Sequence, residues 1–375
     1  MSKKIQISQA DAVFSNGSYP IEFFFYYEPA FDTKRLRRAL QKLSSIFWPA
    51  FGDYKDGAIV FDRYREVECF DEEASDRELD ISEIDESGSE VISRFALPEL
   101  ERLFFLKAIR FKNGLVLIPK LNHLAGDGYS YFLFLSLLAA LSRSTLVPFK
   151  SSLMNFALKP HHRRTALRDF SFQGVELRPL AQPGKIAIEC AEILRRDVQS
   201  VIREAATSAN LRISSNDVLS ALAMKKLVKA RADSWAEDVR LTIPIDVRGK
   251  VKEYGRGFFG NGIMFHTVTF KKERLENSPI QEVAIEIRKS RPPLSKESYI
   301  DFLKSLEDLL YAGRLDEFRP YNPERGCLVT NLSRLPTDKL DFGTGSPKLA
   351  IPLTIEKNGA AILAKEENFV LRLAY

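Results

Sequence analysis

The sequence predicts a mixed α/β protein of two domains. Its 375 residues are enough for two domains of ordinary size, and 45% of them are hydrophobic, which is enough to form buried cores. Strand-like runs rich in aromatic and β-branched residues are interspersed with segments whose apolar residues recur at helical spacing. We therefore expect an N-terminal domain at 1–145, a crossover linker at 146–185 and a C-terminal domain at 186–375.

Composition excludes several classes of protein. The net charge of +5 is more typical of a protein that binds an anionic small ligand than of a nucleic-acid-binding protein. The N-terminal residues lack the apolar core of a signal peptide, and the most apolar segment, 129–141, is shorter than the ~20 residues that span a bilayer. We expect a cytoplasmic monomer without a membrane span.

The three cysteines, Cys69, Cys190 and Cys327, are scattered, odd in number and without metal-ligand spacing. Such a pattern suits a reducing compartment, where disulfides are rare. It supports the expectation of a cytoplasmic protein.

The N-terminal half predicts a strand at 20–27 and then a helix capped by Asp32 or Thr33. Asp56-Gly57 predicts a hairpin turn. The acidic stretch 62–90 is interpreted as a solvated loop.

Two further strands, 104–111 and 115–121, are joined by a turn at 112–114, and a buried helix follows at 129–141. His123 lies in the turn between the second strand and this helix. A rigid turn of this kind can hold a histidine as a general base. A single histidine beside an apolar strand is more often structural, however, and Asp127 is equally explained as the N-cap of the helix.

Residues 146–185 carry Pro148, Pro160, Pro179 and Pro183, so regular structure is not expected there. His161 and His162 are adjacent in this stretch. No cysteine or carboxylate lies nearby at ligand spacing, so no metal site is predicted. His266, inside a predicted strand, is interpreted as structural.

The second half predicts four helices and five strands. The helices are at 197–208, 213–221, 279–289 and 296–311, and the strands are at 240–247, 263–270, 327–332, 360–364 and 368–374. The glycine-rich loop 255–261 is a weak phosphate-binding signal, because no helix begins after it.

The spacing His123-x-x-x-Asp127-Gly128 resembles the signature of the BAHD acyltransferases, the condensation domains of peptide synthetases and their chloramphenicol-acetyltransferase-like relatives. Other stretches resemble the same superfamily in the same order from residue 20 to the C-terminus, among them Asp246-Val247-Arg248, Gly260-Asn261, Val329-Thr330-Asn331-Leu332 and Asp341-Phe342-Gly343-Thr344-Gly345. Two positions depart from the family. Thr344 stands where it has tryptophan, and Asn122 stands where condensation domains have a first histidine.

The resemblance implies two chloramphenicol-acetyltransferase-like sandwich domains with an active-site channel at their interface. His123 would act as general base, taking a proton from an acceptor hydroxyl that attacks a CoA thioester. No acyl-enzyme is required, because both substrates can be bound together. Thr330 and the backbone N–H near Gly128 would stabilise the oxyanion.

Other roles also follow from the resemblance. Asp127 would pair with Arg248, and Asp341 and Gly343 would support the site. Acyl-CoA would be a co-substrate, with no bound cofactor and no metal. The residues themselves suggest where it binds: Lys250, Lys252 and Arg256 cluster in one loop and could bind its phosphates, and Ser214 and Ser215 at a helix start could offer hydroxyls and amides. The alternative is that this loop is an ordinary solvated basic loop.

Two alternatives remain. One is an amide-forming condensation-type enzyme whose donor is an acyl-carrier protein. The other is an inactive acyltransferase fold that serves as a binding or scaffold protein, which the intact His123 and Asp127 argue against and Thr344 weakly favours. The acceptor is expected to be a small-molecule alcohol or amine of a natural-product type.

Overall fold

The computed structural model describes residues 2–14, 20–84, 87–98, 102–143, 186–231, 235–312, 326–354 and 356–375. In these ranges the strands β1 to β14 are, in chain order, Lys3–Gln6, Ile21–Tyr27, Asp53–Lys55, Ala58–Phe61, Phe70–Ala74, Phe104–Arg110, Leu115–Leu121, Ile188–Leu194, Asp238–Asp246, Ile263–Lys271, Gly326–Asn331, Leu349–Pro352, Gly359–Lys365 and Asn368–Ala374. The helices α1 to α9 are Gln9–Ala12, Thr33–Ser44, Ser89–Phe95, Gly128–Arg143, Arg195–Ala209, Ser215–Ala230, Lys272–Asn277, Ile280–Lys289 and Lys296–Tyr311. No helix in the described ranges is both long and apolar enough to cross a membrane.

The chain forms two compact units. Unit 1 consists of Met1–Ala181, Val247–Gly262 and Pro336–Thr354, of which the first range is described only up to residue 143 apart from its short gaps. Unit 2 consists of Gln182–Asp246, Ile263–Leu335 and Ile355–Tyr375. Two segments from the second half of the sequence therefore pack with the first half. The predicted linker 146–185 lies outside the described residues.

Unit 1 is built on a five-stranded sheet in the order β12-β2-β7-β6-β5, with a separate three-stranded sheet, β1-β4-β3. Strand β7 is antiparallel to both of its neighbours, β2 and β6. All seven of its residues are buried, which explains its nearly continuous apolar sequence. Its C-terminal end leads directly into the His123 turn.

A buried ion pair interrupts this apolar surface. Lys120 of β7 lies 3.1 Å from Glu22 of β2, and its Nζ also donates to the carbonyl of Leu97 at 2.6 Å. Burial raises the pKa of Glu22, although the charge of Lys120 opposes this effect. A buried lysine of this kind needs such partners, because an uncompensated charge in the interior is costly.

The interpretation of 62–90 as a solvated loop is wrong for residues 70–74, whereas 75–84 are irregular and mostly exposed. This stretch contains β5, which pairs in parallel with β6. Cations of neighbouring elements neutralise its acidic side chains: Lys107 of β6 lies 2.6 Å from Glu73, and Arg37 of α2 lies 3.0 Å from Glu72. The acidic run therefore belongs to a charged edge strand, a common way to prevent edge-to-edge association.

Unit 2 contains a six-stranded sheet in the order β10-β9-β11-β13-β14-β8. Strand β11 is parallel to β9 and β13, and the remaining pairs are antiparallel. Helices α5, α6 and α8 cover its core. The predicted helix 296–311 and the predicted C-terminal hairpin are both confirmed.

Candidate active site

The connection between β7 and α4 carries His123, and Asn122 shapes it. The side-chain oxygen of Asn122 accepts a hydrogen bond from the N–H of Leu124 at 3.0 Å, and its backbone carbonyl accepts one from the N–H of Ala125 at 2.9 Å. Asparagine commonly stabilises turns in this way. The residue that stands where condensation domains have a first histidine thus builds the turn that holds His123.

The ring of His123 is stacked on Phe14, with ring centroids 3.7 Å apart and an angle of 16° between the planes. Phe14 is buried and follows the short helix α1. That helix begins with a capping box in which the backbone N–H and hydroxyl of Ser8 both donate to Asp11 Oδ2 at 2.6 Å. The N-terminal segment therefore fixes one face of the imidazole.

Asn261 fixes the edge of the same ring. Its Nδ2 donates to Asp11 Oδ1 and to the backbone carbonyl of His123, both at 2.8 Å. Its Oδ1 therefore faces His123 Nδ1, at 3.0 Å. An amide oxygen only accepts hydrogen bonds, so Nδ1 carries the proton, and in the neutral ring Nε2 holds the free lone pair.

Burial lowers the pKa of His123 to about 4, although the carboxylate of Asp127 and the hydrogen bond with Asn261 act in the opposite direction. His123 as a residue is nevertheless only partly buried. The imidazole is therefore neutral at physiological pH, which is the form that can accept a proton.

The side chain of Asp127 forms the ion pair with Arg248 that the resemblance implies. Arg248 Nη1 lies 2.8 Å from Asp127 Oδ2, and Nη2 lies 3.0 Å from Oδ1. Asp127 also caps α4, because Oδ1 accepts the N–H of Ser130 at 3.0 Å. Burial alone would raise the pKa of Asp127, but Arg248 and two backbone N–H groups outweigh it, and the pKa is lowered.

Arg248 connects the same helix to the segment 247–262. Its Nη2 donates to the Ser130 hydroxyl at 3.1 Å and to the carbonyl of Gly260 at 2.9 Å. The guanidinium carbon lies over the ring of Tyr129, 4.5 Å from the centroid. A Cβ at Gly262 would lie 2.8 Å from that carbon, so a larger residue there would displace the guanidinium from its ion pair.

Other residues predicted for the site also lie in unit 1. Gly128 is the first residue of α4, and its N–H has no partner within the helix, as at any helix N-terminus. Lys250, Lys252 and Arg256 are exposed in the segment 247–262 that carries Arg248 and Asn261. These three cations therefore share one short, solvent-facing stretch of chain.

Thr330, Ser214 and Ser215 lie in unit 2. Thr330 is in β11, and the side chain of the next residue, Asn331, donates to Asn216 of α6 at 2.7 Å. The end of β11 therefore meets the start of α6, where Ser215 is the first residue. Ser214 is the N-cap residue of that helix, and its hydroxyl and backbone N–H donate to the carboxylate of Asp217 at 2.8 and 2.7 Å.

Asp341 and Gly343 form a turn at the far end of α4. Asp341 Oδ1 accepts the N–H groups of Gly343 and Gly345 at 2.7 and 2.9 Å, and Oδ2 accepts Arg143 Nη1 at 2.7 Å. Arg143 is the last of the 16 residues of α4, so this contact is about 23 Å along the helix from its His123 end. The turn supports unit 1 and has no described contact with His123.

The described residues contain no group of three or more histidine, cysteine or acidic side chains that could hold a metal ion. His161 and His162 lie outside the described part of the chain. His266 is buried in β10, with its Nε2 3.2 Å from the Ser290 hydroxyl, which agrees with a structural role.

Sequence reasoning missed Asp11 and Phe14 and gave no role to Asn261. A signal for the first did exist, because Ser8-x-x-Asp11 has the spacing of a capping box. That signal marks the start of a helix and nothing more. The contact with His123 depends on residues far apart in sequence.

Comparisons with known proteins identify the family and the fold of this chain. The model of the family described as "Transferase family" matches residues 2–368. Piperamide synthase from Piper nigrum is 22% identical over 91% of this chain and 75% of its own length. Shikimate O-hydroxycinnamoyltransferase from Nicotiana tabacum is 24% identical over 95% of this chain and 87% of its own length.

Among solved structures, that of TRI101 from F. graminearum, complexed with coenzyme A and deoxynivalenol, is similar over 99% of this chain and 95% of its own chain. The TM-score is 0.73 at 13% sequence identity. This likeness confirms the fold class expected from the sequence, a chloramphenicol-acetyltransferase-like α/β fold.

Proposed function

Because this chain belongs to the Transferase family, the BAHD-type acyltransferases, we propose that it transfers the acyl group of a CoA thioester to a hydroxyl of a small-molecule acceptor, with His123 as general base. Acyl transfer from CoA to a small acceptor is the activity that the family supports. The observation that carries the finer proposal is the orientation of His123: Asn261 Oδ1 lies 3.0 Å from Nδ1, which leaves Nε2 as the proton acceptor.

The chemistry needs a base at this position. An alcohol is too weakly acidic to attack a thioester unaided, and a neutral imidazole can take its proton as the carbon–oxygen bond forms. Collapse of the tetrahedral intermediate then breaks the carbon–sulfur bond, and the imidazolium returns the proton to the departing CoA thiolate. The imidazole is neutral again at the end of the reaction. No acyl-enzyme is needed, because both substrates are bound together and one attacks the other directly.

Two groups are proposed to stabilise the negative charge of the intermediate. The N–H of Gly128 is at the N-terminus of α4, where the helix dipole favours negative charge. Thr330 is assigned to the same role by the family resemblance. Either donor would contribute through a hydrogen bond that strengthens as the charge develops.

An amine is the second candidate acceptor. A neutral amine attacks without first losing a proton, and its nitrogen becomes acidic only as the intermediate forms. A weak base is then sufficient, which suits the lowered pKa of His123, about 4. The name of one relative, piperamide synthase, also indicates an amide product for that protein.

Measurement of free thiol release tests the proposal. Purified protein is incubated with a panel of acyl-CoAs and matched pairs of alcohols and amines that share one carbon skeleton. We expect thiol release that depends on both substrates and is lost in His123→Ala. Turnover restricted to the amines would favour the second candidate.

The same assay separates the remaining alternatives. Turnover with an acylated carrier protein, and none with any free acyl-CoA, would assign the donor to the condensation type. An absence of turnover with every donor and acceptor, together with tight binding of one of them, would support the scaffold interpretation.

A further inference from the structure

The geometry points to Asp11 as a positioning residue that sets the tautomer of His123 through the side chain of Asn261. This inference rests on the proposed role of His123 as general base. Asp11 does not touch the imidazole. Its influence passes through one amide group, which contacts Asp11 on one side and His123 on the other.

The side chain of Asn261 has two possible orientations that differ by a half turn about its last bond. In one, the oxygen faces His123 Nδ1. In the other, the NH₂ group faces it, Nδ1 has to accept, and the proton moves to Nε2. The second orientation would place the lone pair on the wrong nitrogen for catalysis.

Two acceptors select the first orientation. Asp11 Oδ1 and the backbone carbonyl of His123 each lie 2.8 Å from Nδ2 of Asn261, and neither group can donate. An amide turned the other way would set its oxygen against both of them. Asn261 and Asp11 are fully buried, at 1% and 0% exposure, so water cannot relieve that repulsion.

Asp11 is itself held in place. Its Oδ2 accepts the backbone N–H and the hydroxyl of Ser8, both at 2.6 Å, which leaves Oδ1 directed at Asn261. The capping box of α1 thus orients the carboxylate, the carboxylate orients the amide, and the amide selects the tautomer. We name this chain of contacts Asp11–Asn261–His123 the relay.

The relay transmits orientation without placing a full charge on the ring. A carboxylate in direct contact with Nδ1 would favour the imidazolium and raise the pKa of His123. The neutral amide between them keeps the negative charge one residue further away. This is consistent with a pKa of about 4, well below the ordinary value for histidine.

Nitrogen NMR of protein labelled with ¹⁵N-histidine tests the relay directly, because protonated and unprotonated ring nitrogens have distinct shifts. The chain has four histidines, and His123→Ala identifies the signals of interest. At neutral pH we expect Nδ1 to be protonated and Nε2 unprotonated in the unmodified protein. An Nε2-protonated ring would overturn the inference whatever the activity.

A swap of the two polar groups gives a second test. In Asp11→Asn, the new amide cannot accept from both Ser8 and Asn261, so we expect a mixture of tautomers and a fall in kcat of roughly ten- to a hundred-fold, less than complete loss of a general base. The double variant Asp11→Asn/Asn261→Asp lets the new amide donate to a carboxylate that accepts from Nδ1. It should restore the Nδ1–H tautomer and move the acid limb of the kcat/KM profile to higher pH.

Asp32→Asn is the matched control, because it makes the same chemical change at the exposed N-cap of α2. It should alter neither the tautomer nor kcat. An unchanged tautomer in Asp11→Asn would overturn the relay. If Asp11→Asn fails to fold, the spectrum of the unmodified protein decides, because an Nε2-protonated ring overturns the relay. If the tautomer responds as expected but His123→Ala stays active, the relay stands and the base assignment fails.

Discussion

The carboxylate of Asp127 both caps helix α4 and forms an ion pair with Arg248. Its Oδ1 accepts the N–H of Ser130 at the start of α4, and both of its oxygens pair with Arg248 of the segment 247–262. The helix cap, considered as the purely structural explanation of Asp127, and the ion pair implied by the resemblance are therefore both present. The aspartate of the motif thus holds α4 to the segment 247–262, and of the two motif residues only His123 is proposed to take part in the chemistry.

Replacement of Asp127 by alanine is expected to destabilise the protein by about 3–5 kcal/mol, because it leaves the guanidinium of Arg248 buried without its counter-ion. Activity should fall together with stability. Denaturant unfolding monitored beside the kinetics tests this expectation. Asp32→Ala is the control, since Asp32 caps α2 at an exposed position, and its loss should cost only about 1 kcal/mol.

The same ion pair predicts how stability depends on pH. The folded-state pKa of Asp127 lies below its unfolded value, so the carboxylate stabilises the fold fully at pH values above the unfolded pKa. That contribution is lost as the pH falls through the folded pKa. Acid unfolding of the unmodified protein should therefore be steeper than that of Asp127→Asn, whose residue 127 cannot titrate. Superimposable stability profiles would contradict the assignment.

Replacement of His123 by alanine is expected to lower kcat by at least ~10²-fold, the usual loss when a general base is removed. The melting temperature should change little by comparison with Asp127→Ala. Phe14→Leu provides a graded control, because it removes the stacking partner but leaves the imidazole and the hydrogen bond with Asn261. It should give an intermediate kcat. Near-normal turnover in His123→Ala would show that His123 is not the general base.

The lowered pKa of His123 also predicts two different pH effects. Activity should fall on the acid side near pH 4, where the imidazole becomes protonated. Between pH 4 and the ordinary histidine pKa, the unfolded chain binds the proton more readily than the folded protein does. Stability should therefore decline as the pH falls through this window, before activity is lost. A kcat/KM profile with its acid limb near 6.5 would contradict the role of burial.

Much of the fold follows from local pattern. Strand β7 and helix α9 were predicted at their observed boundaries, because an unbroken apolar run and a well-capped periodic segment each leave few alternatives. The acidic strand β5 was missed because the cations that neutralise it come from other elements. Charge patterns of one segment cannot reveal partners that only the fold brings close.

The site residues also differ in how far the sequence could predict them. His123 and Asp127 could be found because they share one short motif. The contacts of Asn261 with His123 and with Asp11 join residues 138 and 250 positions apart. No local rule connects such positions, and the orientation of an amide depends on all of its neighbours in three dimensions. The tautomer of His123, the proposed base, therefore could not be predicted from the sequence.

Replacement of Thr330 by valine keeps the shape of the side chain and deletes its hydroxyl. If Thr330 donates to the oxyanion, kcat should fall roughly ten- to a thousand-fold, the scale of losing one such donor. Thr269→Val, at an exposed position of β10, is the control and should leave kcat unchanged. Unchanged kinetics in Thr330→Val would assign that residue to packing and leave the N–H of Gly128 as the candidate donor.

CoA carries a 3′-phosphate and a pyrophosphate, and Lys250, Lys252 and Arg256 are exposed together in the segment 247–262. We expect Lys250→Ala/Lys252→Ala to raise KM for acyl-CoA and leave kcat nearly unchanged, which is the result of losing binding that is equal in the ground and transition states. The unmodified protein should also show KM rising with ionic strength, and the double variant should show a weaker rise.

Lys34→Ala/Lys42→Ala is the matched control, because it removes two exposed lysines from α2 and changes the net charge by the same amount. If both double variants shift KM equally, the effect is one of overall charge, and these lysines do not contact the donor. If only Lys250→Ala/Lys252→Ala shifts KM, and the shift disappears at high salt, the phosphate groups of CoA bind at this loop. If KM is unchanged in both double variants, Lys250 and Lys252 are ordinary solvated surface residues with no role in donor binding.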